Sequence, residues 1–435
     1  MQYNKRTHNI TFEGARACKV SPEEELNRSV MSCLLWEKEF YEEGESIADR
    51  ILRLASEVSS TAVARLATKA RTEYKLRHVP LLLCLGLLKN TSVKGPGWNT
   101  ADVIADTIQR PDELMELLSL YWKDGKKPLP KQLKLGLAKA FDKFDEYQFA
   151  KYNRDRDIKL RDVMFMAHPK PSTPLKEALF KRIADNTLET PDTWEVGLST
   201  GGDKKETFER LLCDNKLGYL ALLRNLRNMD QANVDARFIL SALDDTKRAS
   251  RVLPFRFIAA SKACPKYETH LDLAMLKVME HMPKLMGKTR MLVDVSGSMT
   301  WPLSDKSDLT RMDAACGLAI LLRGICEDIE IFSFSNNLVR VPGRSGMALR
   351  DAIVYSQPHG GTALGRAVNS VNDQSYDRLV VITDEQTRDS MPTPTGKGYI
   401  INVASYQNGV GYGQWTHIHG FSEACVKFIQ ELEKV

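Results

Sequence analysis

The spacing of apolar residues changes once along this chain, near residue 287, and that change limits the fold more than any other feature. Before it, apolar side chains recur three or four positions apart, as in Leu114, Leu117, Leu118 and Tyr121, the signature of amphipathic helices. Strand-like alternation is nearly absent there. After it, short apolar runs alternate with helical stretches. The pattern predicts strands at 290–295, 329–334, 378–383 and 399–404, and helices over 311–326, 363–371 and 423–432. Short β runs separated by helices belong to a parallel, doubly wound sheet. With 435 residues the chain exceeds what one core holds. The expected organisation is a helical-repeat domain over 1–287 and a doubly wound α/β domain over 288–435.

The helical half carries its own punctuation. Ser21-Pro22-Glu23-Glu24 reads as a capping box with proline in the first turn, and Thr173-Pro174 and Thr190-Pro191 predict two further helix starts. The run Pro80-Leu-Leu-Leu-Cys-Leu-Gly-Leu-Leu88 is shorter than the about 20 residues a bilayer span needs. It predicts a buried helix. Many short helices joined by polar turns predict a solenoid whose repeats are degenerate, because no clean period emerges.

Composition narrows the function classes. An apolar share of 43% and a charged share of 27% are those of a globular protein. The net charge of +5 admits a nucleic-acid partner without demanding one. The eight cysteines are dispersed and form no Cys-x-x-Cys pair, which argues against a zinc site or a disulfide framework. We expect a reducing, cytoplasmic setting, no signal peptide and no membrane role.

The strongest local motif is Asp294-Val-Ser296-Gly-Ser298, directly after the first strand of the second half. Open parallel sheets place ligands at the carboxyl ends of their strands. A carboxylate and two hydroxyls at alternating positions direct three oxygens to one spot, with Gly297 expected to ease the turn. Thr362, after Gly360-Gly361, adds a hydroxyl, and Asp384, after the strand at 378–383, adds a second carboxylate. Oxygen donors without sulfur or imidazole suit a hard cation, Mg²⁺ first and Mn²⁺ or Ca²⁺ next. No Walker-A loop and no evident general base accompany them, so recognition rather than catalysis is expected.

Basic residues cluster in the helical half. Lys131 and Lys134 open one helix, Lys151, Arg154 and Arg156 follow Tyr147, and His168 and Lys170 form a turn. Cations at helix ends and turns reach phosphates, and Tyr147 and Tyr152 offer rings for base stacking.

The motif Asp-x-Ser-x-Ser with a distant Thr and a distant Asp resembles the metal-ion-dependent adhesion site (MIDAS) of von Willebrand factor A (vWA) domains, over about 288–435. Four segments of the helical half resemble the Ro/TROVE family in order. They are Phe144-Asp-Glu-Tyr-Gln-Phe-Ala-Lys-Tyr152, Asp162-Val-Met-Phe-Met-Ala-His-Pro-Lys-Pro171, Leu220-Ala-Leu-Leu-Arg-Asn-Leu-Arg-Asn-Met229 and Leu253-Pro-Phe-Arg256.

That resemblance implies a ring of HEAT-like helical pairs joined by the vWA domain, and a monomeric, RNA-binding ribonucleoprotein component. It implies small noncoding Y-like RNA on the outer surface, at positions matching Lys151 and His168, and single-stranded ends of misfolded RNA in the cavity. An exoribonuclease partner is also implied. A family arginine aligns with Asp155, where Arg154 or Arg156 would have to substitute. Two other readings stay open: a vWA adaptor for an ATPase or chelatase partner without RNA, and a metal-dependent phosphate-ester hydrolase.

Overall fold

A computed structural model describes residues 9–10, 16–17, 21–30, 47–92, 98–153, 157–199, 202–249, 252, 254–280, 282–303, 309–372, 374–387, 389–404, 413–420 and 423–433. The chain forms two compact units. One comprises 22–30 and 48–201, and the other comprises 1–21, 31–47 and 202–435.

The first unit is all helix, stacked in two layers. Helix Ser60–Thr72 packs on Thr100–Thr107, which packs on Lys131–Phe141, which packs on Leu160–Ala167. Alternating with these, His78–Lys89 packs on Pro111–Tyr121, and that on Glu146–Tyr152. This alternation is the two-layer arrangement of helical repeats. Where two helices come into close contact, a side chain can have to be missing. A Cβ on Gly136 would lie 2.6 Å from Ile104 Cγ2, so glycine sets the contact between Lys131–Phe141 and Thr100–Thr107.

The sequence punctuation reads through in most places. His78–Lys89 is buried from Val79 to Leu87, as its unbroken apolar run requires. Thr173 caps Pro174–Ala184 by accepting from the Lys176 N–H. Thr190-Pro191 does not begin a helix. The helix starts at Trp194, and Thr193 Oγ1 accepts from the Val196 N–H at 3.3 Å, so the later threonine wins the capping role.

The second unit contains a two-residue antiparallel ladder, β1 (Asn9–Ile10) with β2 (Arg16–Ala17), and a six-stranded sheet. Its strands are β3 (Leu285–Asp294), β4 (Cys326–Phe334), β5 (Leu338–Arg340), β6 (Arg378–Thr383), β7 (Lys397–Asn402) and β8 (Trp415–His419). Their order is β5-β4-β3-β6-β7-β8. All neighbours are parallel except β4 and β5. This is a doubly wound, vWA-like sheet with an antiparallel edge. Sequence reading missed β5, β8 and the helix Gly346–Val354. The short edge strands β5 and β8 lack the long apolar run that identifies a central strand.

Helix Arg311–Ile325 explains why 202–280 belongs with the sheet. Nearly all of its side chains are buried. It packs on β3 and also against Pro254–Ala263, Glu268–Glu280 and Gly346–Val354. A helix apolar all round needs cover all round. The change from helix to strand thus falls at Leu285, while the compact units part at 201/202. Helix Leu364–Asn372 covers Leu292, Val381 and Ile400 of the sheet.

Candidate metal pocket and cationic surface

In a doubly wound sheet the strand order reverses between the first strand and its later neighbour, which opens a crevice at their carboxyl ends. Here those strands are β3 and β6. Asp294 ends β3, and Thr383-Asp384 ends β6. Both aspartates are fully buried. The Thr383 hydroxyl donates to Asp294 Oδ2 at 2.6 Å, and the Ser296 N–H donates to Asp294 Oδ1 at 2.8 Å. Ser296 Oγ and Ser298 Oγ lie 3.4 Å apart, and Ser298 also hydrogen-bonds Asp384.

Thr362 is buried in the loop that closes the pocket. That loop is tied to the serine turn. The Gly297 N–H donates to Gly360 O at 2.9 Å, and His359 Nδ1 lies 2.8 Å from Val295 O. The closer approach is at Gly360 rather than Gly297. A Cβ on Gly297 would meet only carbonyl oxygens at ordinary contact distance, and its φ is not positive. A Cβ on Gly360 would strike Asn336 Nδ2 at 2.2 Å.

Electrostatics shows what this pocket lacks. Burial, and then the facing Asp384, push the Asp294 carboxyl well above the usual range. Burial pushes Asp384 up as well, with Ser298 and Arg311 opposing. Arg311 Nη1 lies 3.2 Å from Asp384 Oδ2 and supplies one positive charge against two buried carboxylates. A hard divalent cation fits that deficit and that set of oxygens. Among the described residues no group of three or more His, Cys, Asp or Glu side chains is placed to hold a metal. Here two carboxylates share the pocket with hydroxyls. Sequence reading missed Arg311 and Ser335, whose Oγ accepts from the Gly360 N–H at 2.8 Å. The Thr383-Asp384 pair was visible, but its division of labour was not.

The basic residues of the helical unit fall into two groups. Lys139 pairs with Asp102, Lys143 Nζ donates to Ala105 O and Ile108 O, Lys176 Nζ donates to Phe144 O, and Arg182 pairs with Glu146. These cations hold helices together. Lys131, Lys134 and Lys170 are exposed, and neither they nor Lys151 forms an ion pair among the described residues. Lys151 Nζ lies 5.9 Å from the ring centres of both Tyr147 and Tyr152. His168 is exposed and ends its helix in the left-handed conformation at φ 51°, so it is both a C-cap and a solvent-facing group.

Tyr152 is not the open ring expected of it. The Arg110 guanidinium lies 4.7 Å from its centre. Tyr147, at 54% exposure, is open, and so is Phe165, at 50%, with Arg161 beside it. Sequence reading passed over Phe165 because it sits inside an apolar helical pattern. Arg154 and Arg156 lie outside the described residues.

Comparisons with known proteins add the following. Residues 181–315 match the TROVE domain model. That span includes the Leu220–Met229 and Leu253–Arg256 segments and crosses from helix into the sheet, whereas the segments at 144–152 and 162–171 precede it. The chain is 38% identical over 89 residues, 19% of its length, to telomerase protein component 1 of Mus musculus, and 35% identical over 89 residues to the Rattus norvegicus protein. It spans 3% of the length of each. The crystal structure of the Deinococcus radiodurans RO (RSR) protein shares the fold. The TM-score is 0.64 at 17% identity, over 93% of this chain and 97% of that one. The chain thus carries a TROVE-domain match over residues 181–315 and shares the fold of a Ro protein.

Proposed function

We propose that this protein is a non-catalytic, RNA-binding component of a ribonucleoprotein. It binds structured, Y-like noncoding RNA through the cations of the helical unit and takes single-stranded ends of misfolded RNA, in RNA quality control or processing. One observation carries this reading. On the consecutive helices from Lys131 to His168, several cations serve no internal ion pair among the described residues, while their neighbours are consumed by packing. Phosphate contacts from such side chains dominate affinity and position the RNA. Tyr147 and Phe165 offer open rings to unpaired bases.

The pocket at Asp294 and Asp384 is a cation site for recognition, with Mg²⁺ the best match. Asp294, Ser296, Ser298, Thr362 and Asp384 are its donors. Purified protein carries nucleic acid, read as absorbance at 260 nm relative to 280 nm, and sequencing that material names the RNA. A Lys151→Ala/His168→Ala protein binds structured RNA more weakly in gel shifts at moderate salt and remains folded. Protein free of RNA, with full gel-shift affinity in the double variant, would refute the reading in favour of a protein-binding adaptor. With Mg²⁺ and RNA supplied, no cleavage is expected.

A further inference from the structure

Far from the carboxyl ends of β3 and β6, the sheet-containing unit holds a cavity of about 470 Å³. It is large enough for a small organic molecule, since such sites run to roughly 300–1,000 Å³. Four segments build it. The 3₁₀ turn Thr246–Ala249 contributes Lys247, the helix Glu268–Glu280 contributes Lys277 and Val278, and Met282 follows that helix. From the far side, Leu321 and Ile325 project one turn apart from helix Arg311–Ile325, and Val426 and Lys427 come from helix Glu423–Leu432. The cavity is held shut at one corner, where Gln430 Nε2 donates to Pro283 O at 2.8 Å.

The chemistry of this lining is one-sided. Its floor is aliphatic and thioether carbon, and Leu321, Ile325 and Val426 are buried. Among the described residues its charged groups are three ammonium ions, and no carboxylate lines it. Lys247 and Lys277 are exposed and form no ion pair among the described residues. An apolar chamber whose only charges are cationic selects a ligand with an apolar body and an anionic head. A neutral hydrocarbon leaves the ammonium groups unused, a cation meets like charge, and a short anion fails to fill the floor.

We propose that this cavity is a binding site for an amphiphilic organic anion, a medium-length aliphatic carboxylate, held by Lys247 and Lys277 over the Leu321–Ile325–Val426 floor. It shares no residue with the cation pocket or with the cations of the helical unit, so its test is independent of RNA.

The experiment uses the full chain, freed of nucleic acid, with 1-anilinonaphthalene-8-sulfonate as a fluorescent probe and decanoate as competitor. The expected result is one saturable probe site per chain, emptied by decanoate. Decylamine, with the same chain and the opposite charge, does not empty it, and neither does acetate. Lys247→Glu/Lys277→Glu weakens probe and decanoate binding at least tenfold with an unchanged melting curve. Val278→Trp, which fills the chamber without touching its charge, weakens it comparably. Lys131→Glu, in the other unit, has no effect. Absence of a saturable site would overturn the proposal. So would displacement by decylamine as strong as by decanoate, or undiminished binding in the folded charge-reversal variant.

Discussion

Buried ion pairs occur in both units, such as Arg71 with Glu113 in the helical one, but the charges singled out for recognition sit differently in the two. In the helical unit, Lys131, Lys134 and Lys170 stand exposed at helix ends and turns, with Lys151 half-buried beside two tyrosine rings. In the sheet unit the notable charges are inside. Arg290 is buried between Val371 O at 3.0 Å and Glu330 at 2.8 Å. Arg378 donates to Thr289 Oγ1 at 2.7 Å, Met286 O at 2.6 Å and Glu433 Oε1 at 2.9 Å. Asp294 and Asp384 face each other with a charge deficit that Arg311 only partly offsets. An exposed charge is cheap to keep and cheap to lose. A buried one is tied to the fold, because removing its partner strands a charge away from water. The contrast separates recognition by surface cations from recognition by a preformed pocket.

The sharpest way to break that contrast is at Arg378. Arg378→Ala leaves the Glu433 carboxylate without its counter-charge, with only the Tyr399 hydroxyl among the described residues still donating to it, and should cost about 3–5 kcal/mol of stability, read from urea unfolding. A loss as small as that of a surface lysine would erase the distinction. Asp294→Ala comes next. It should abolish Mg²⁺ binding measured by calorimetry and leave RNA affinity unchanged. Retained Mg²⁺ binding would remove the oxygen pocket from the account.

The pH dependence of the buried pair sharpens the comparison further. Burial raises the Glu433 carboxyl, but hydrogen bonding and attraction to Arg378 outweigh it and hold the group below its ordinary value. A carboxylate lowered in the folded state adds stability that is present above the unfolded pKa and lost as pH falls through the folded value. Glu433→Gln should therefore flatten the acid limb of a melting-temperature profile while lowering stability near neutrality. An unaltered acid limb would contradict the pairing.

The smallest effect on stability belongs to the helical cations. Lys151→Ala/His168→Ala should shift stability by about 0.5 kcal/mol or less. It should also reduce the slope of log affinity against log salt by about one for each phosphate that the variant no longer neutralises. A large drop in stability would show that these side chains serve the fold.

Hydrophobic spacing and the order of the motifs by themselves determined the two kinds of secondary structure, most strands of the sheet and the strand-end placement of Asp294 and Asp384. The buried run at 79–87 and the strand-end position of Asp384 follow from local pattern, and local pattern is written in neighbouring residues. Only the tertiary structure decided that 202–280 joins the sheet unit, through the cover that helix Arg311–Ile325 requires on every side. It also decided that Arg110 lies over Tyr152, that Gly360 rather than Gly297 is approached closely by a neighbouring side chain, and that Arg311 and Thr383 serve the two aspartates. Each of these joins residues distant in the chain. Its energy depends on packing that no single segment encodes.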